Sequence, residues 1–167
     1  MSKKAFTLVE LILVVTILGI LSALVLPTFQ GHIVMARETA VQDNLKVIRT
    51  QIELYKMHHN GITPGYMNGS EAPTAMLSLQ FTATTSVTGA VSLSTIPSGI
   101  YVNGPYLKKV PVNSFNKLST IAYVSQGTAF SDAVDGTSSG WLYKKETGEF
   151  KVNHTGTDSK GVAFYDY

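Results

Sequence analysis

The chain has no cysteine. Disulfide staples, zinc–thiolate centres and cysteine nucleophiles are therefore excluded, and any folded domain must be held by its core alone. With 167 residues, more than enough remain outside an N-terminal apolar segment to build such a core. Charge is also scarce, at 14% of residues, with 13 basic and 11 acidic side chains. Lys3 and Lys4 supply two of the basic ones, so beyond residue 5 the remaining 11 bases face 11 acids. That balance offers no broad basic field for nucleic acid or an anionic surface. There is no G-x-S-x-G turn and no phosphate-binding loop, and the four histidines lack the spacing of a zinc site. An enzyme is not expected.

What the chain does have is a long hydrophobic run at its beginning. Met1-Ser2-Lys3-Lys4-Ala5 is a short basic stub; Phe6-Thr7-Leu8-Val9-Glu10 follows, and the apolar run continues to Leu26 and stops at Pro27. As a helix, residues 6–29 span about 36 Å at 1.5 Å per residue, enough for the hydrocarbon core of a bilayer. A secretory signal peptide would need a shorter apolar region and a small-residue cleavage site after it, and no A-x-A site follows Leu26. A plain membrane anchor fits the length but leaves Glu10 unexplained. An acid at mid-bilayer costs roughly 2.5–3.5 kcal/mol on insertion scales, so Glu10 predicts a partner, and with it an assembly.

The stub, the Phe6-Thr7-Leu8-Val9-Glu10 cluster and the apolar run resemble the leader and N-terminal helix of type IV pilins and type II secretion pseudopilins. The resemblance implies cleavage by a prepilin peptidase between Ala5 and Phe6, with N-methylation of Phe6, although the family usually has glycine where this chain has Ala5. It implies insertion in the inner membrane as a single-pass protein with a periplasmic head. Assembly into a filament would follow, with copies of itself and other pilin-like subunits, driven by an inner-membrane platform and its ATPase. Glu10 is expected to neutralise the amine of Phe6, either one turn away in the same helix or in an adjacent subunit; the resemblance favours the second. A carboxylate snorkelling to the interface is the bland alternative. Pro27 removes a backbone donor, so a kink is expected there, and the resemblance extends this to loss of helical order from Gly19 to Pro27. The missing C-terminal disulfide loop, common in pilus-forming pilins, points toward the pseudopilin branch. A pilin or minor pilin of a type IV or competence pilus, with a head binding DNA or surfaces, is the alternative.

Beyond Pro27, Val34, Val41, Leu45, Ile48, Ile52 and Tyr55 recur as one helical stripe, predicting an amphipathic helix over residues 30–60 that ends at Asn60-Gly61. Residues 51–64 and 104–111 resemble the corresponding parts of the major pseudopilin. Residues 63–97 read as a Ser/Thr/Gly/Ala-rich stretch in which Met76, Leu77, Leu79 and Phe81 can pin a short helix. Strand signals lie at residues 119–125, 141–145 and 149–153, the last two joined by a Thr147-Gly148 turn. The expected fold class is α+β: a long N-terminal helix packed on a small C-terminal antiparallel sheet. Its divisions are a leader at 1–5, an assembly helix at 6–29, an amphipathic helix at 30–60 and a head at 61–167.

Head sites are few. Residues 150–161 resemble the calcium-loop region of the major pseudopilin, which nominates Asp158 and Asp166 as calcium ligands, though the family's further acids are missing and Lys160 intrudes. Calcium wants six to eight oxygens, so a Gly-closed surface turn competes with this reading. His58 and His59 point about 100° apart on a helix and are expected to be a solvated helix terminus. Trp141 and Phe150 are expected in the core.

Overall fold

The computed structural model describes residues 6–167, with side chains undescribed at 24–30. Ala5 lies outside the described residues. One helix, α1, is assigned over Leu8–His58. The chain divides into two compact units, Met1–Arg37 and Glu38–Tyr167, each described by itself.

In the first unit, the described side chains from residue 6 to residue 23 are exposed all round, and apolar residues occupy every face of the helix rather than one stripe, the pattern of a helix that needs burial on all sides. Among the described residues, no helix is long and apolar enough to cross a membrane; the apolar run extends to Leu26, into the undescribed side chains. The helical assignment continues through Gly19 and Pro27, and the side chain of Pro27 lies outside the described ones. Val34, placed by periodicity on the buried stripe, is 46% exposed. It precedes the second unit, so the stripe's buried part begins at Val41.

In the second unit, Val41, Leu45, Ile48, Ile52 and Tyr55 are all essentially buried. They pack against Trp141, Tyr143, Phe150, Val152, Leu77, Phe81 and Phe164 in one cluster. The 3, 4 spacing puts these five side chains on one face of the helix, and burying a large aliphatic side chain stabilises by about 1.5–3 kcal/mol. The helix ends where left-handed residues appear, Asn60 (φ 55°) and Gly61 (φ 82°), with the Gly61 amide donating to the Lys56 carbonyl at 2.8 Å.

A two-stranded ribbon follows, β1 (Tyr66–Met67) with β2 (Ser70–Glu71). The helix α2 (Thr74–Thr82) then buries Leu77, Gln80 and Phe81. The main sheet has three strands in the order β3 (Ile121–Tyr123), β4 (Trp141–Lys144), β5 (Glu149–Val152). β4 and β5 form the expected antiparallel hairpin, with Tyr143 opposite Phe150. Gly148 (φ 80°) closes its turn with a 2.8 Å bond to the Lys144 carbonyl, a conformation that favours glycine. β3 differs from the antiparallel expectation: it runs parallel to β4, Ile121 opposite Trp141. A parallel neighbour needs a crossover rather than a tight turn. Residues 124–140 supply it, including the single-turn helix α3 (Phe130–Ala133).

That crossover is held by asparagine amides. Asn153 is fully buried; its Oδ1 accepts from the Asp135 and Gly136 amides at 3.0 and 2.8 Å, and its Nδ2 donates to Asp135 Oδ1 and Ser139 Oγ. Asn113, also fully buried, donates to the carbonyls of Gly140 and Asn153, while Asn116 donates to those of Gly136 and Ser139. Buried backbone groups that no strand ladder serves are satisfied this way.

Candidate assembly site and head loops

The site with a chemical signature is the start of α1. Thr7 precedes the first helical residue, and Glu10 stands three positions after it. Glu10 Oε2 accepts from the Thr7 amide at 2.9 Å and from Thr7 Oγ1 at 2.7 Å, and the Glu10 amide donates back to Thr7 Oγ1 at 3.3 Å. This is a capping box, two end groups of the helix satisfied reciprocally. The T-x-x-E spelling before an apolar run is its sequence signal, and a reading that treats Glu10 only as a misplaced charge passes over it. Glu10 Oε1 accepts no bond among the described residues. Further along, Thr16 Oγ1 donates to the Ile12 carbonyl at 2.7 Å, so that hydroxyl is satisfied within its own helix. The segment thus presents apolar side chains on all sides and one carboxylate with an acceptor oxygen to spare. Phe6 is 75% exposed; the expected cleavage partner Ala5 is among the undescribed residues.

The two nominated calcium ligands have separate settings. Asp158 Oδ1 accepts from the amides of Lys160 and Val162, each at 2.8 Å, and Oδ2 accepts from the Tyr167 hydroxyl at 2.5 Å. The Tyr167 hydroxyl, with the two amides, holds this carboxyl below the usual carboxylate range. The loop is also fastened to α1, because buried Glu38 accepts from the Ser159 amide and hydroxyl at 3.1 and 3.2 Å. Asp166 lies exposed in a short 3-10 turn, Phe164–Asp166, and its backbone carbonyl accepts from Lys151 Nζ at 3.1 Å. Among the described residues no three His, Asp or Glu side chains are grouped to hold a metal ion.

The histidine pair divides. His58 is exposed and meets the Tyr106 hydroxyl at 3.1 Å. His59 is only 1% exposed, which corrects the expectation of a solvated terminus. Its ring stacks on Tyr55 one turn earlier, centroids 3.6 Å apart. Nδ1 donates to the Tyr55 carbonyl at 2.7 Å and Nε2 accepts from Thr85 Oγ1 at 3.0 Å, so both ring nitrogens are used in the neutral form. Burial lowers its pKa. Trp141 and Phe150 are core residues as expected.

Set beside known proteins, residues 1–26 match the family described as the prokaryotic N-terminal methylation motif. The type IV major fimbrial protein FimA of Dichelobacter nodosus is 30% identical over 161 residues, 95% of this chain and 97% of that one. The type II secretion system core protein G of Pseudomonas aeruginosa is 37% identical over 70 residues, 42% of this chain and 49% of its own length. Prepilin peptidase-dependent protein D of Escherichia coli is 35% identical over 74 residues, 43% of this chain and 51% of its own length. Over these last two the match spans about half the length of the relative. No solved structure matches the chain significantly. A prepilin-type N-terminus on a long helix, with a small α+β head, defines the class, and the similarity to FimA extends along nearly the whole chain. The chain belongs to the type IV pilin-like superfamily.

Proposed function

We propose that this chain is a structural subunit of a pseudopilus of a type II secretion-type machine. It is cut between Ala5 and Phe6 by a prepilin peptidase, N-methylated at Phe6, held in the inner membrane with its head in the periplasm, and polymerised through its N-terminal helix. The observation that carries this reading is the start of α1: a capped helix exposing apolar side chains on every face, with one carboxylate oxygen unused. Such a surface is stable only in lipid or against other such helices, and the exchange of lipid for neighbours is polymerisation. Glu10 offers its free oxygen to the amine of an adjacent subunit's Phe6, and the stretch from Gly19 to Pro27 is where the helix loosens on assembly. A cytoplasmic ATPase acting through a membrane platform supplies the work. No chemistry is assigned to the head, and its Asp158 loop is read as closed by protein groups without calcium. Local similarity to core protein G and the lack of cysteine support the secretion machine.

A second reading, the subunit of an extracellular type IV pilus, is favoured by the nearly full-length similarity to FimA. Mass spectrometry of sheared filaments and of cell envelopes separates the two. A methylated chain starting at Phe6 only in the envelope means a pseudopilus, and the same chain in the sheared fraction means a surface pilus. A chain that keeps Met1 in both refutes processing altogether.

A further inference from the structure

The head leaves apolar side chains uncovered in two places. The first is the loop that follows α2. Residues 72–107 contain no charged side chain, and residues 93–100 are exposed without interruption. Within this stretch and just after it, Leu93, Ile96, Ile100 and Val102 are 57 to 87% exposed. A single exposed apolar residue is ordinary; a run of large ones on one loop, with no charge among them, marks an interaction surface. The loop is also held in shape. Thr84 donates to the Ser94 carbonyl from both its amide and its hydroxyl, each at 2.9 Å. Ser94 Oγ accepts from the Ile96 amide at 3.0 Å, and Ser98 and Tyr101 exchange backbone bonds at 3.1 and 3.0 Å. A loop ordered in advance loses little entropy on docking.

The second place is the outer face of α1. Val47, Thr50, Leu54 and Met57 recur at spacings of three, four and three. Each stands two positions, about 200°, beyond a member of the buried stripe Leu45, Ile48, Ile52 and Tyr55. All four are exposed. Thr50 Oγ1 donates to the Lys46 carbonyl at 2.8 Å, so that hydroxyl is satisfied within its own helix. Alongside, Glu53 is paired with Lys56 at 2.9 Å. One apolar stripe is enough to seat a helix on its own head. This helix carries two, and the head covers the first.

We propose that the loop of one copy packs on the outer α1 face of a second copy, Ile96 and Ile100 against Val47, Leu54 and Met57. The inference rests on the filament reading above and adds a head contact to it. Chemistry selects the occupant. The loop has no charge with which to choose a charged partner, and the outer stripe is an uncovered apolar surface of the same chain. It also belongs to the helix whose first segment the filament packs against other copies, so polymerisation brings neighbours alongside it. Loop and stripe are unlike surfaces, and each copy offers the one to one neighbour and the other to the next. Such a contact repeats along a filament rather than closing as a pair.

Because the chain has no cysteine, an introduced pair reads the contact directly. The full-length chain is expressed with its assembly machinery and oxidised with copper phenanthroline. Ile96→Cys combined with Leu54→Cys is expected to give a ladder of disulfide-linked multimers on a denaturing gel, while either single variant stays monomeric. Ile96→Asp with Ile100→Asp, and separately Leu54→Asp, are each expected to lower filament yield about tenfold. All three positions are exposed, so the heads should melt like the wild type. Normal yield from either aspartate variant overturns the proposal. Absence of the ladder also overturns it, and if yield falls in the aspartate variants at the same time, the loop serves a different partner. A dimer from Ile96→Cys alone overturns it as well, since loop then meets loop. Where an aspartate variant melts below the wild type, the ladder decides. If the unaltered chain forms no filament, the polymer reading itself is at fault rather than the contact.

Discussion

Replacing Glu10 by alanine separates the two environments that the proposed function gives the first helix, lipid and filament. In lipid the carboxylate is a burden of roughly 2.5–3.5 kcal/mol at mid-bilayer, and a position near the helix start reduces that figure. Glu10→Ala therefore leaves insertion intact or makes it easier. In the filament the same change removes the one charged acceptor of the segment. Part of the loss is local: Glu10 Oε2 holds the Thr7 amide and hydroxyl, and breaking a capping interaction costs about 1 kcal/mol. Thr7→Val measures the hydroxyl's share of that local part, since it deletes the hydroxyl bonds but keeps the amide bond, the carboxylate and its free oxygen. The remainder is the contact with a neighbour, for which a charged hydrogen-bonded pair with one partner removed loses about 2–5 kcal/mol, a factor of thirty or more in subunit affinity. The expected order of filament yield is wild type, then Thr7→Val reduced severalfold, then Glu10→Ala nearly absent, with equal membrane insertion in all three by alkaline extraction and immunoblotting. Normal filament yield from Glu10→Ala refutes the reasoning. Equal loss in both variants refutes the division between cap and neighbour, and assigns the whole effect to the helix start.

Three further outcomes concern the head. His59 is neutral and buried with a lowered pKa; the unfolded chain binds this proton at higher pH, so stability is complete above about pH 6.5 and falls as pH drops toward the folded value. The slope is at most about 1.4 kcal/mol per pH unit for this group, and His154, stacked on Phe115 with its pKa also lowered by burial, adds a weaker effect in the same direction. Thermal melts from pH 7.5 to 5 should show the fall, and His59→Gln should flatten it; an unchanged slope in that variant denies His59 the role. Both oxygens of Asp158 are taken by protein donors, so chelation by EGTA is expected to leave the melting temperature unchanged, and a rise on adding calcium would show a cation in the loop. Asn153→Ala removes the acceptor of the part-buried Asp135 and Gly136 amides and the buried donor to Ser139 Oγ, and should destabilise the head by about 1–3 kcal/mol, read by denaturant unfolding; a loss below about 0.5 kcal/mol would mean that water replaces the amide without penalty.

The elements most legible in the sequence are those written in a repeating period. Val41 to Tyr55 repeat at helical spacing and pack as a stripe, and the Thr147-Gly148 turn marks the β4–β5 hairpin because its backbone needs a left-handed residue. The parallel placement of β3 has no such mark. It depends on a crossover fastened by Asn113, Asn116 and Asn153, whose amides reach backbone groups 17 to 40 residues away, and a polar residue serving distant backbone groups is spelled like a polar residue in water. The burial of His59 has no mark for the same reason, since it comes with stacking on Tyr55 and bonding to Thr85 across the fold. At the assembly site the residues were legible and the local geometry was not: Glu10 stood out by cost, while its bond to Thr7 lay in a four-residue pattern.

A head fastened by asparagine amides also has a chemical lifetime. Hydrolysis of the Asn113 side chain to aspartate would turn its donor, which now faces the Gly140 and Asn153 carbonyls, into an anion facing two acceptors. The same reaction at Asn153 would set a second carboxylate beside Asp135. Neither change needs an enzyme, and burial slows both only while the head stays closed. A subunit that opens repeatedly before it is incorporated would accumulate this damage and lose its crossover irreversibly, so older, unassembled copies would become distinguishable from new ones by isoelectric point alone.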